Sequence, residues 1–72
     1  MPTPSEYKSA FTEFKKIYTD FDALIKIPLV GKELANNIIK DAERGQITKW
    51  DDLLDVPEVG PETVSEIIRW FL

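Results

Sequence analysis

Apolar residues fall on one side of a helix from the start of the chain. Tyr7, Phe11, Phe14, Tyr18 and Phe21 follow one another at intervals of four, three, four and three, the spacing that keeps side chains on a single helical face. The stripe predicts an amphipathic helix over roughly 5–19, with Lys8, Glu13, Lys15 and Lys16 on its wet side. Thr3-Pro4-Ser5-Glu6 supplies the start signal: Thr3 as the cap, Pro4 at the first helical position and Glu6 at the capping-box position. Five large rings give so short a chain the material for a core, so the stripe reads as a packing face and not as a stacking surface for bases.

Four further helices follow from the pattern. Asp20 or Asp22 caps a short helix through Ala23, Leu24, Ile25 and Lys26, which must end before Pro28. A longer one runs from about Lys32 to Arg44, with Leu34, Ala35, Ile38, Ile39 and Ala42 inward and Gly45 where a left-handed cap belongs. After Gln46-Ile47, Thr48 is expected to cap a short helix at 49–54, with Asp51 at the capping-box position. Pro57 ends it, and Pro61 opens a last helix to about Phe71, with Val64, Ile67, Ile68 and Phe71 inward. No stretch alternates with period two. The expected fold class is all-α, a single domain over 1–72 made of five short helices. Its expected core is Phe11, Phe14, Tyr18, Phe21, Leu24, Ile27, Val30, Leu34, Ile38, Ile47, Leu53, Leu54, Val59, Val64, Ile67 and Ile68.

The chain also repeats itself. Shifted by 29 residues, LIKIPLVGKELANNIIK (24–40) lies over LLDVPEVGPETVSEIIR (53–69) with seven of 17 positions identical: Leu24/Leu53, Pro28/Pro57, Val30/Val59, Gly31/Gly60, Glu33/Glu62, Ile38/Ile67 and Ile39/Ile68. Agreement at Pro, Gly and the apolar positions means that both copies solve one backbone problem: short helix, tight Pro-x-Val-Gly turn, second helix. These residues resemble the tandem helix-hairpin-helix domains, especially the compact form in competence-type DNA-receptor proteins. There the hairpin typically reads Leu-Pro-Gly-Ile-Gly, with Ala four residues beyond the second Gly. Ile27-Pro28-Leu29-Val30-Gly31 with Ala35 matches the first unit, and Val56-Pro57-Glu58-Val59-Gly60 with Val64 the second. Gly45, Thr48, Trp50 and Leu53-Leu54 resemble the family's connector. The resemblance covers residues 20–72, divided as a first unit at 20–44, a linker at 45–48 and a second unit at 49–72; the N-terminal helix over 1–19 falls outside it. It implies sequence-independent DNA binding by hairpin amides and the start of the second helix.

Charge changes that expectation. Nine Lys and Arg stand against 13 Asp and Glu, a net charge of −4, whereas nucleic-acid binders usually show a basic domain or face. Only 24–40 is positive, with three Lys against Glu33; residues 53–72 set Asp55, Glu58, Glu62 and Glu66 against Arg69 alone. The leading Gly of each hairpin is also replaced, by Leu29 and Glu58. A positive φ there costs a side chain about 1–2 kcal/mol. The candidate DNA-binding residues therefore cluster at the first hairpin: Lys26, Val30, Gly31, Lys32, Asn36 and Lys40. The competing reading is a protein-interaction or scaffold module that has lost DNA binding. For it, Trp70 and Leu72 are the candidate contacts, since one helix cannot bury all of Ile68-Arg69-Trp70-Phe71-Leu72 on one face.

Other classes fall away. An enzyme lacks its usual materials, with no His, no Cys and no glycine-rich phosphate loop. Asp51, Asp52 and Asp55 lack the spacing and turn Gly of a calcium loop. A helix-turn-helix reader needs a basic recognition helix, and residues 61–71 carry Glu62 and Glu66 against Arg69. No cofactor, metal or small-molecule substrate is expected, and no apolar run reaches membrane-spanning length. The partners expected are double-stranded DNA, held weakly and salt-sensitively, or a protein. The absence of cysteine leans towards the cytoplasm.

Overall fold

The computed structural model describes residues 2–72 and is all-α, with five helices and no strand among them. The helices are α1 (Pro4–Ile17), α2 (Phe21–Leu24), α3 (Lys32–Glu43), a 3-10 helix (Trp50–Asp55) and α4 (Pro61–Phe71). Thr3 caps α1 by accepting the Glu6 N–H at 3.3 Å, and Pro4 takes the first position. The Glu6 carboxylate receives the Thr3 hydroxyl instead of reaching back to the Thr3 amide. The helix ends two residues sooner than the stripe predicts, because Asp20 turns the chain and caps α2 through the Ala23 N–H. Ile25, expected inside α2, is its C-cap.

The end of α3 follows the glycine signal. Gly45 has φ +72, its N–H donates to the Ala42 carbonyl, and the Gln46 N–H reaches the Asp41 carbonyl at 2.9 Å. This is the paired bonding of a Schellman cap. The cap after it differs from expectation. Asp52, not Asp51, is the capping carboxylate, accepting the Thr48 hydroxyl at 2.7 Å and the Thr48 and Lys49 N–H groups at 2.8 and 3.2 Å. Thr48 donates where it was expected to accept. The cause is where the helix starts: Lys49, not Thr48, is the N-cap, so the capping-box position three residues on moves from Asp51 to Asp52.

The core also differs from expectation. Leu53 and Val56, three apart, share the inner side and are buried, while Leu54 points away and is 48% exposed. Phe11, Tyr18, Phe21 and Ile68 are only partly buried, and the small Ala10 takes a fully inner place. α1 lies against α4, and a close helix contact favours the alanine over the rings that flank it. Phe14 is the centre. Wholly buried, it has the rings of Phe11, Tyr18, Trp50 and Phe71 at centroid distances of 5.9, 5.8, 5.2 and 5.8 Å. Trp50 also donates its indole N–H to the Tyr7 carbonyl at 3.0 Å, which ties the helix outside the repeat to the connector.

Within the repeat, the backbones match bond for bond. Val30 donates to the Ile27 carbonyl and Val59 to the Val56 carbonyl, each at 3.1 Å; Ile27 donates to Leu24 and Val56 to Leu53, again at 3.1 Å. Leu29 and Glu58 both lie in the left-handed region, at φ 70 and 71. Pro at the second position, positive φ at the third and a bond from first to fourth make the pattern of a type II turn, which asks for Gly or Asn where Leu29 and Glu58 stand. Both side chains are exposed, so no burial offsets the strain. Leu29→Gly and Glu58→Gly should each raise stability by roughly 1 kcal/mol. Urea unfolding of each variant checks this; a loss of stability in both would remove the strain argument.

Candidate nucleic-acid interface

The first hairpin is built to leave amides free. The first N–H groups of a helix have no acceptor within it, and Ala35 is the first in α3 to donate inward, to the Gly31 carbonyl at 2.9 Å. Gly31 is the N-cap and has no side chain to satisfy the amides of Lys32, Glu33 and Leu34. Its φ of −89 and ψ of −178 are open to any residue, and an added Cβ would meet nothing within 4 Å. Neither backbone conformation nor internal packing explains the glycine. What it leaves is bare space beside a helix start whose dipole and amides favour an anion.

The expected site residues divide into three groups. Gly31, Lys32 and Lys26 are exposed around the hairpin. Val30 contributes nothing outward, because its side chain is buried and its N–H is spent on Ile27. Asn36 and Lys40 are exposed but lie further along α3, where Glu33, Asn36, Asn37 and Lys40 share one face and border a groove with Pro57 and Glu58 of the second turn. Lys40 thus stands among Glu33 and Glu58. Asn37, which sequence reasoning passed over, closes this groove by donating to the Pro57 carbonyl at 3.0 Å. Nothing local in the sequence marks that contact, since its partner is 20 residues away.

The second hairpin repeats the geometry without the chemistry. Gly60 also has an unstrained φ of −101 and open space for a Cβ. Pro61 follows it where Lys32 follows Gly31, removing one amide and one cation, and Glu58 and Glu62 flank the turn. Trp70 and Leu72, the candidate protein contacts, are 51% and 52% exposed at the end of α4. Asp51, Asp52 and Asp55 form no cluster suited to a metal ion among the described residues. No helix among them is long and apolar enough to cross a membrane. No family model matches the chain, and neither a curated protein nor a solved structure is significantly similar to it.

Asp52 is the carboxylate whose protonation the fold resists. The Thr48 hydroxyl, then the Thr48 amide, hold its pKa below the ordinary carboxylate value against the opposing influence of burial, with Lys49 adding a lesser contribution. A depressed folded-state pKa stabilises the fold above the unfolded-state value, and that stabilisation is lost as pH falls through the folded one. Asp52→Asn should therefore be less stable than the parent at pH 7, with the gap narrowing as pH drops below about 4. Denaturant titrations at pH 7 and pH 3 measure it; an equal gap at both would show that the carboxylate's charge is not what matters.

Proposed function

We propose that the chain is a helix-hairpin-helix module without enzymatic activity that holds the phosphodiester backbone of double-stranded DNA, weakly and without sequence preference. Binding is through the amides at the start of α3. The observation that carries this is Gly31, a residue required by neither its φ nor its neighbours, with Lys32 and Lys26 exposed beside it. A backbone phosphate brings the charge that such a helix start accepts, and contacts of this kind position a protein on a duplex without reading bases. A cysteine-free composition fits a cytoplasmic setting. Protein interaction is the second reading. It is favoured by the exposure of Trp70 and Leu72 and by the carboxylates at the second hairpin.

Titration of the labelled protein with a 12-base-pair duplex in low salt separates the two. Amide shifts confined to Gly31, Lys32 and Glu33 are expected, and neutralising two or three phosphates implies a loss of about 10- to 40-fold in affinity between 50 and 200 mM salt. Lys32→Glu should abolish the shifts. Gly31→Ala should weaken them while leaving stability within about 0.5 kcal/mol, since the glycine's conformation suits alanine. Absence of movement at millimolar duplex would overturn the DNA reading and leave Trp70 and Leu72 as the surface to pursue.

A further inference from the structure

A second groove, which shares no residue with the hairpin, lies where the start of the 3-10 helix meets α1. Tyr7, Phe11 and Trp50 supply its apolar floor, Lys8 and Lys49 stand at its sides, and its volume is about 400 Å³. That is the size range of pockets that take a ligand or an anchoring side chain. Lys15 adds a third cation, its Nζ 5.7 Å from the centre of the Phe11 ring. None of these three lysines forms an ion pair among the described residues; the pairs formed there join Lys16 to Glu13, Arg44 to Asp41 and Arg69 to Glu66. In a chain of net charge −4, two lysines lining one apolar groove and a third over its Phe11 ring are a local concentration of positive charge.

Apart from the Tyr7 hydroxyl, the groove's uncharged polar groups are already engaged. The Thr12 hydroxyl donates to the Lys8 carbonyl, the Thr48 hydroxyl donates to Asp52, and the Trp50 N–H donates to the Tyr7 carbonyl. Recognition therefore rests on ammonium groups and apolar surface. The Asp52 carboxylate beside the rim is fixed by three hydrogen bonds from Thr48 and Lys49 and stays ionised, so it offsets part of the Lys49 charge and leaves Lys8 and Lys15 as the unopposed cations. The rings are poorly placed as a platform for stacked bases: Phe11 and Trp50 meet at 78°, Phe14 lies 5.2 Å from the indole, and Lys15 covers Phe11. We infer that this groove docks an acidic peptide segment that lays one bulky apolar side chain over the outer surface of Tyr7, Phe11 and Trp50 while its carboxylates pair with Lys8, Lys15 and Lys49. An apolar anchor ringed by opposite charges is a common division of labour at protein interfaces, with burial giving affinity and charge giving selectivity.

The test uses the whole chain carrying Trp70→Phe, so that Trp50 is the sole tryptophan and is excited selectively over the tyrosines. The probe is an acetylated, amidated octapeptide in which Asp and Glu flank a Phe-Leu pair. A saturable change in Trp50 emission with amide shifts at Lys8, Thr12 and Lys49 is expected. Replacing Phe-Leu by Ala-Ala should weaken binding at least 10-fold, and Lys8→Glu or Lys49→Glu at least threefold each; both lysines are exposed, and circular dichroism confirms that the variants fold. Absence of shifts at millimolar peptide overturns the inference, as does binding indifferent to the anchor or to the lysines. An oligothymidylate that shifts the same amides more tightly than the peptide assigns the groove to nucleic acid and overturns it too. The duplex titration reads Gly31 and Lys32, so either result stands apart from the other.

Discussion

Each half of the repeat has to reverse its chain within four residues and still deliver a valine to the core. A left-handed residue ahead of that valine meets both demands. It lets the carbonyl of Ile27 or Val56 bond the valine amide three residues on, which turns Val30 and Val59 inward and aims α3 and α4 away from the turn. Burial then matches pair by pair: Leu24 with Leu53, Ile27 with Val56, Val30 with Val59, Ile38 with Ile67. The outward residues match as well. Ile25 and Leu54 are equivalent positions and both are exposed. Glycine is the unstrained solution at the left-handed position, yet leucine and glutamate occupy it, and the fold holds because the remaining contacts of each unit over-determine the turn.

One backbone repeated twice does not make one site repeated twice. The start of α3 carries a full set of amides with Lys32 at the first position; the start of α4 carries Pro61 there and Glu58 in the turn where the first unit has Leu29, while Glu33 and Glu62 are common to both. Free glycines at Gly31 and Gly60 leave room at both, so space is not the discriminator. Charge is. At distances of a few ångströms a carboxylate opposes a phosphate strongly in the low-dielectric margin of a protein, and less so where water intervenes. The two hairpins are also joined, since Asn37 of α3 bonds the second turn at Pro57. The second unit then acts as the brace against which the first is held.

Patterns of local origin were legible in the sequence. The helix starts at Thr3-Pro4 and Gly60-Pro61, the glycine stop at Gly45 and the doubled turn rest on residues within five positions of one another, and the structure places them as expected. The strain at Leu29 and Glu58 was legible only through the resemblance, which expects glycine at those positions; the positive φ of 70 and 71 supplies the reason. What escaped was set by the exact helix start or by distant contact. Leu54 carries the right hydropathy for a core, but Leu53 and Val56 take the inner side, as Leu24 and Ile27 do in the first unit. The exchange of Asp51 for Asp52 as the cap follows from the helix starting one residue later than expected, with Lys49 as its N-cap. Asn37 and the indole N–H of Trp50 bond carbonyls 20 and 43 residues away, and no local signal reports that.

The helix outside the repeat completes the domain. The two units bury aliphatic residues against each other, but the aromatic mass lies between α1, the 3-10 helix and α4, around Phe14. A chain of this length folds without crosslinks only if it removes a large share of its apolar surface from water, and the rings of Phe11, Phe14, Tyr18, Trp50 and Phe71 supply much of that. Fastening α1 through the Trp50 indole also sets Lys8 and Lys49 on one groove, two cations brought from distant parts of the sequence. The acidic balance of the whole governs approach over distances up to the screening length, about 8 Å in physiological salt, whereas contact within a groove or at a helix start is settled by the groups inside that range. A net charge of −4 therefore lowers encounter rates with any polyanion, while it leaves room for two local surfaces of opposite sign, one made by a turn and one by the docking of a helix.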